Sequence, residues 1–267
     1  MSLTTLINAV RQKNPLVHNI TNEVVVNFTA NGLYAIGASP VMANAMEEAA
    51  DMAKNADALL LNIGTLTGDQ ADVMIEAGKA ANEKGIPVVL DPVGVGATPY
   101  RNQVASRILN EVKLTMIRGN AGEVSQLVGL EAQVRGVDSS GSFDNISIAR
   151  HAEQELGIPV LVTGEKDVIT DGKDLFEVSN GAPLLTKVTG TGCLLGSVVA
   201  AFLATGENHV KAAAAAVVFY NVAAEKAAKN VNHPGSFQIA FLDALASTTS
   251  EDVSTHAKIT HRILSEG

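Results

Sequence analysis

The clearest signal along the chain is an alternation of short apolar runs with longer stretches of helical periodicity. Residues 57–63 (DALLLNI) form a continuous apolar run, as expected of a strand covered on both faces. Residues 67–70 (TGDQ) then read as a capping box that opens a helix ending near Gly85. The next strand is 86–91 (IPVVLD), followed by a Gly/Pro-rich loop over 92–99. A helix over about 100–112 leads to a strand at 114–118. Asn120 then caps a short helix with Glu123 at its third position. A helix over 145–156 and a strand over 158–163 complete another unit.

This repetition predicts parallel strands joined by right-handed crossovers, with helices on both faces of the sheet. One hairpin interrupts it: 167–170, a turn at Asp171-Gly172, then 175–178. After Val188 nearly everything reads as helical to the C-terminus. The Ala-rich stretch 211–229 is expected to be a buried helix packed closely on its neighbours. No repeat, linker or charge block divides the sequence, so residues 1–267 are read as a single α/β domain.

Composition narrows the possible partners. Hydrophobic residues make up 46% of the chain but aromatics only 4%, so the core must come from Ala, Val, Leu and Ile. With 28 acidic and 19 basic residues the net charge is −9, and no basic footprint exists for nucleic acid or an anionic membrane. Any anionic ligand must then be held by local donors. Cys193 is the single cysteine, which excludes an intrachain disulfide and suits a reducing compartment. Residues 1–11 lack the layout of a signal peptide, and no apolar run approaches the roughly 18 residues of a spanning helix. A soluble, cytoplasmic protein is expected.

Ligands of open α/β sheets bind beyond the carboxyl ends of the parallel strands. The polar residues there are Asn62 and Gly64, Asp91, Arg118-Gly119-Asn120, and Thr163-Gly164-Glu165. Singly, Asp91 and Asn120 could equally cap turns and Arg118 could be a surface charge. Their coincidence on one rim favours a site for a metal, phosphate or nucleotide. The strongest local signal is VTGTGCLLG at 188–196, where Gly190 and Gly192 precede a long helix. Successive outward N–H groups and the helix dipole would make an anion hole suited to a transferring phosphoryl group. No P-loop pattern occurs. Gly190, Gly192 and Gly196 give G-x-G-x-x-x-G, which keeps a dinucleotide-dependent dehydrogenase as a rival, although no ribose-binding acid follows on a next strand. Cys193 falls in the first helical turn, where the dipole should favour thiolate; the alternative is a small buried hydrophobe. The six histidines show no metal-ligand spacing, and His18, in an apolar strand-like stretch, reads as structural.

Five segments in order carry a family resemblance: VHNITN at 17–22, GASPVM at 37–42, LDPVGVGA at 90–97, IRGN at 117–120 and TGTGC at 189–193. Together they closely resemble hydroxyethylthiazole kinase, a thiamine-salvage enzyme of the ribokinase-like superfamily, from about residue 15 to 241. The resemblance implies a ribokinase-like three-layer sandwich and phosphorylation of the primary hydroxyl of 4-methyl-5-(2-hydroxyethyl)thiazole by Mg-ATP. It implies Asn22, Met42 and Gly190 as substrate contacts, and Arg118, Asn120 and Thr163 at ATP. Asp91 and Glu123 would hold magnesium, directly or through water. Gly190, Gly192 and Cys193 would be the catalytic loop. The family forms homotrimers with sites between subunits, so Asn22 and Met42 could face a neighbouring chain's Cys193. Many ribokinase-like kinases carry an aspartate base where Cys193 stands, so a role in positioning the alcohol is expected of the thiol. The alternatives are another kinase of this fold acting on hydroxymethylpyrimidine, a dehydratase of hydrated nicotinamide cofactors, and a non-catalytic nucleotide-binding regulator.

Overall fold

Nine strands hydrogen-bond into one sheet in the computed structural model, which describes residues 3–130 and 144–264. The strands are β1 (Leu16–Ile20), β2 (Ser39–Val41), β3 (Ala58–Asn62), β4 (Val88–Asp91), β5 (Met116–Asn120), β6 (Val160–Thr163), β7 (Asp167–Thr170), β8 (Asp174–Val178) and β9 (Ile259–Ile263). Their spatial order is β2-β1-β3-β4-β5-β6-β7-β8-β9. The first six in that order are parallel and the last three antiparallel. The polar residues that follow the parallel strands therefore gather on one rim, as expected for this class of fold.

Helices cover both faces because the strands carry apolar residues on both. Side chains alternate along a strand, so Leu59 and Leu61, Val88 and Leu90, and Ile117 share one face. They pack with α3 (Ala49–Asn55), α4 (Gln70–Lys84) and α5 (Pro99–Glu111). Farther along, α6 (Ala121–Leu127) and α7 (Asn145–Leu156) cover Val160 and Val162. Ala58, Leu60, Val89, Met116 and Leu161 point to the opposite face. There they meet α1 (Leu6–Lys13), α2 (Val26–Ile36), α8 (Thr191–Leu203), α9 (His209–Ala228) and α10 (Pro234–Ser247). Leu60 is wholly buried, and cutting such a side chain back to alanine costs about 2–5 kcal/mol.

The Ala-rich stretch is α9, and Ala212 to Ala216 are all buried. Small side chains all round let it lie close to α8 and α10. The short helix after β5 has its capping box: Asn120 Oδ1 accepts from the Glu123 N–H while Glu123 Oε2 accepts from the Asn120 N–H. His18 is buried in β1 with Nε2 2.6 Å from the Ala43 carbonyl, a structural place.

Two expectations are corrected. Residues 67–70 do not form a full capping box. Gln70 Oε1 accepts from the Thr67 N–H at 3.3 Å, but α4 begins only at Gln70, and its N-cap is Asp69 without a side-chain bond. The helix starts too late for Thr67 to cap it, so only half of the reciprocal pair forms. The C-terminal region is not helical throughout either. After α11 (Ser250–His256), β9 pairs antiparallel with β8 and closes that edge of the sheet. Its pattern is mostly exposed, with Thr260, His261 and Arg262 in the middle, so it carries little apolar signal of a strand.

Candidate active site

The carboxyl ends of the parallel strands place five side chains from five different segments in one hydrogen-bonded line. Asn22 follows β1, and its Nδ2 donates to Asn62 Oδ1 at the end of β3, at 2.9 Å. Asn62 Nδ2 donates to Asp91 Oδ2 at the end of β4, at 2.8 Å. Arg118 in β5 reaches both oxygens of Asp91 through Nη1 at 3.4 Å, and Thr163 Oγ1 at the end of β6 through Nη2 at 3.2 Å. From the helix side, Cys193 Sγ accepts from Asn22 Nδ2 at 3.4 Å.

Burial sets the electrostatics of this line. Asp91 has no exposed surface, and desolvation pushes its pKa up to about 6, against the opposing pull of Arg118 and with a push from Glu123. Burial by itself would lower Arg118, but Asp91, Glu123, Cys193 and Asp167 together hold it above its ordinary value. Its buried Nε has no hydrogen-bond partner among the described residues. Burial, then Asp91, pushes the Cys193 thiol up, while the Asn62 and Asn22 amides and Arg118 pull it down. The thiolate expected from the start of a helix is therefore disfavoured in the free protein, because burial and Asp91 cost the charged form more than the amides and Arg118 return.

The glycine loop is built for close approach. Gly190 caps α8 at φ +92°, a left-handed conformation that glycine adopts without strain, and a Cβ there would lie 2.8 Å from Val25. The Thr191 hydroxyl donates to the Leu185 carbonyl, and the Tyr220 hydroxyl donates to the Thr191 carbonyl at 2.6 Å. These bonds hold the first turn of α8, whose N–H groups lack helical partners. A Cβ on Gly192 would stand 3.1 Å from Arg118 Nη2, so the loop and the guanidinium face each other.

Beside them opens a cavity of about 680 Å³. Arg118, Asn120, Thr163 and Gly192 line it at one end, and Ala182, Pro183, Leu185 and Leu195 supply apolar wall. The size and the mixture suit a nucleotide. Asn22, Met42, Asp91, Glu123, Gly190 and Cys193 are not on its wall; the first, third and last of these join it through the hydrogen-bonded line. Met42 lies half-buried one residue past β2, the strand beside β1. Glu123 accepts N–H bonds from Gly94 at Oε1 and from Asn120 at Oε2, which ties the 92–99 loop to α6.

Two carboxylates with free lone pairs beside an arginine do not make a closed metal cage, and no group of three or more His, Cys, Asp or Glu among the described residues does so. Such a donor set fits a magnesium ion that keeps water and takes further ligands from phosphate.

Several cavity residues escaped the sequence reading. Asp167 and Asn221 are buried and bonded at 2.7 Å, Asn180 joins Asn221 through its carbonyl, and Tyr220 also lines the cavity. They come from the antiparallel strands and the Ala-rich helix, where no rim rule points. Asn62, by contrast, is one of the rim residues that the sequence already points to, and it sits between Asn22 and Asp91 as the bridging residue.

Known proteins share this architecture. The chain is 40% identical to a hydroxyethylthiazole kinase structure from Pyrococcus horikoshii OT3, with a TM-score of 0.89, covering 97% of this chain and 98% of that one. A Staphylococcus aureus pyridoxal kinase in complex with AMP-PCP matches at 16% identity and a TM-score of 0.66, covering 93% and 98%. A ribokinase-like superfamily protein from Enterococcus faecalis matches at 15% and 0.65, covering 94% and 96%. These two share the fold, which is ribokinase-like. No described helix is long and apolar enough to cross a membrane. The match to the family description spans residues 7–251, and with the site just described it leads to one conclusion: the chain belongs to the hydroxyethylthiazole kinase family.

Proposed function

We propose that this kinase transfers the γ-phosphoryl group of ATP to the primary hydroxyl of 4-methyl-5-(2-hydroxyethyl)thiazole. The hydroxyl oxygen forms the new P–O bond, the bond to ADP breaks, and the hydroxyl proton passes to an oxygen of the transferred phosphoryl group. The observation that carries the reading is the juxtaposition of Arg118, Thr163 and Gly192 on the cavity wall with Asp91, Asn22 and Cys193 behind them on one line.

Phosphoryl transfer needs alignment and charge neutralisation more than a strong base. Arg118, Asn120 and Thr163 would bind the nucleotide, and the N–H groups after Gly190 and Gly192 would meet charge developing on the transferred group. Asn22, Met42 and Gly190 would contact the thiazole alcohol. Asp91 and Glu123 would hold magnesium, directly or through water, and the ion would neutralise phosphate charge. Cys193 would orient the hydroxyl, in keeping with a thiol whose proton is held tightly.

The same reading includes a cytoplasmic homotrimer with sites between subunits. Val24, Tyr34 and Met46 support it, as exposed apolar side chains near Asn22 and Met42 in sequence. The deciding assay incubates purified protein with Mg-ATP and the thiazole alcohol and follows the phosphorylated product by mass. Product that vanishes without magnesium is the expected result. ADP formation indifferent to the alcohol would overturn the substrate assignment, and product from hydroxymethylpyrimidine alone would replace it.

A further inference from the structure

Asn62 ends β3 between Asp91 and Asn22 and is only 1% exposed. Its two amide atoms cannot exchange places. The Gly64 backbone N–H can only donate, and it reaches Asn62 Oδ1 at 3.0 Å. An ionised Asp91 can only accept, and it meets Asn62 Nδ2 at 2.8 Å. With the oxygen fixed, the Asn22 atom that approaches it at 2.9 Å must be the donor Nδ2. That same Nδ2 lies 3.4 Å from Cys193 Sγ. One amide thus dictates the orientation of the next, and the sulfur faces an N–H instead of a carbonyl. Gly64 also leaves the room this needs, since a Cβ there would stand 2.7 Å from Asn22 Nδ2.

We propose that Asn62 is a positioning residue: by locking the Asn22 amide, it keeps an N–H donor on the Cys193 sulfur while the acceptor hydroxyl gives up its proton. The proposal rests on the reading that places Cys193 at that hydroxyl. The charged groups acting on the sulfur are Asp91 from β4, which opposes a thiolate, and Arg118 from β5, which favours it. The Asn22 and Asn62 amides act in the same direction as Arg118. A sulfur that accepts this N–H makes the Cys193 S–H a better donor to the acceptor oxygen, and the hydroxyl proton passes to an oxygen of the transferred phosphoryl group, so no thiolate forms.

Because Cys193 is the single cysteine of the chain, alkylation by iodoacetamide reads this sulfur alone and needs no substrate. Its rate should be followed against pH in wild type, Asn62→Ala, Asn22→Ala and the double variant. Asn62→Ala should move the midpoint upward by about half a unit to one unit, the size of one lost hydrogen bond. Asn22→Ala should do the same, and the double variant should move by clearly less than the sum of the two, since Asn62 acts on the sulfur directly and also through Asn22. In turnover, Asn62→Ala should lower kcat much more than it changes either KM. Should that variant fail to fold, Asn62→Ser carries the same expectations. An unmoved midpoint overturns the proposal. So does an equal additional shift in the Asn22→Ala background, which a general loosening of the site would produce. A shifted, non-additive midpoint in a protein that leaves the thiazole alcohol untouched would support the amide chain and sink the substrate assignment.

Discussion

Arg118 approaches both carboxylate oxygens of Asp91 at 3.4 Å, well beyond the roughly 2.7–2.9 Å of a tight charge-assisted bond. The pair is buried yet loose, and the guanidinium turns its other edge to Thr163 and the cavity. A planar fork can span these partners at once, whereas an ammonium is a point charge. Arg118→Lys is therefore expected to lower kcat/KM for ATP by about 100-fold, a loss of roughly 3 kcal/mol in transition-state binding. Steady-state kinetics at saturating alcohol would decide. A change within about threefold would remove Arg118 from the nucleotide site.

Asp91 should leave a mark on stability in the absence of nucleotide and magnesium. Its folded pKa, about 6, lies above the ordinary 3.8, so the folded protein holds this proton more tightly than the unfolded chain. The group's contribution is then greatest in acid, declines as pH rises from 3.8 to about 6, and is flat above that. Urea unfolding of wild type and Asp91→Asn across this window should diverge by roughly 2–3 kcal/mol, with wild type losing ground as pH rises. Parallel curves would mean that Asp91 is not so destabilised by burial.

The two loop glycines should fail in different ways. Gly190→Ala meets Val25 and Phe28 and must hold a left-handed φ, so a loss of about 1–2 kcal/mol in unfolding free energy is expected. Gly192→Ala is within helical geometry but crowds Arg118, so it should melt near wild type and lose most of its kcat/KM. Melting curves beside kinetics separate the two, and a thermally crippled Gly192→Ala would overturn this division.

Cys193→Ser should keep turnover within about tenfold of wild type, because a hydroxyl can still position the alcohol and the transfer does not demand a strong base. A loss of about a thousandfold or more, with folding intact, would instead make the thiolate the required base.

Most of the parallel core was legible in the sequence, and the reasons are physical. DALLLNI and IPVVLD are apolar on both faces because helices cover both, and the strands within them end at Asn62 and Asp91, the polar residues that the rim needs. Asn120 with Glu123 was readable because a capping box uses a fixed spacing. β9 was hidden, since an edge strand with most residues in solvent has no need of an apolar face. Asp167, Asn180 and Asn221 were hidden for another reason: their partnership spans up to 54 residues and depends on how the antiparallel strands meet α9. The electrostatics of Cys193 were equally out of reach. Position at a helix start is visible in the chain, but the burial that overrides it is not.

The side chains that form the hydrogen-bonded line come from strands and a helix whose residues lie as far apart in the chain as Asn22 and Cys193, 171 positions. No contiguous piece shorter than that span contains the whole set. A fragment released by a cut inside that span would hold some members and lack the others. Recovery of phosphoryl transfer after denaturation would thus mark the last step of assembly, later than the return of secondary structure. Catalysis in this protein would serve as a clock for its own completion.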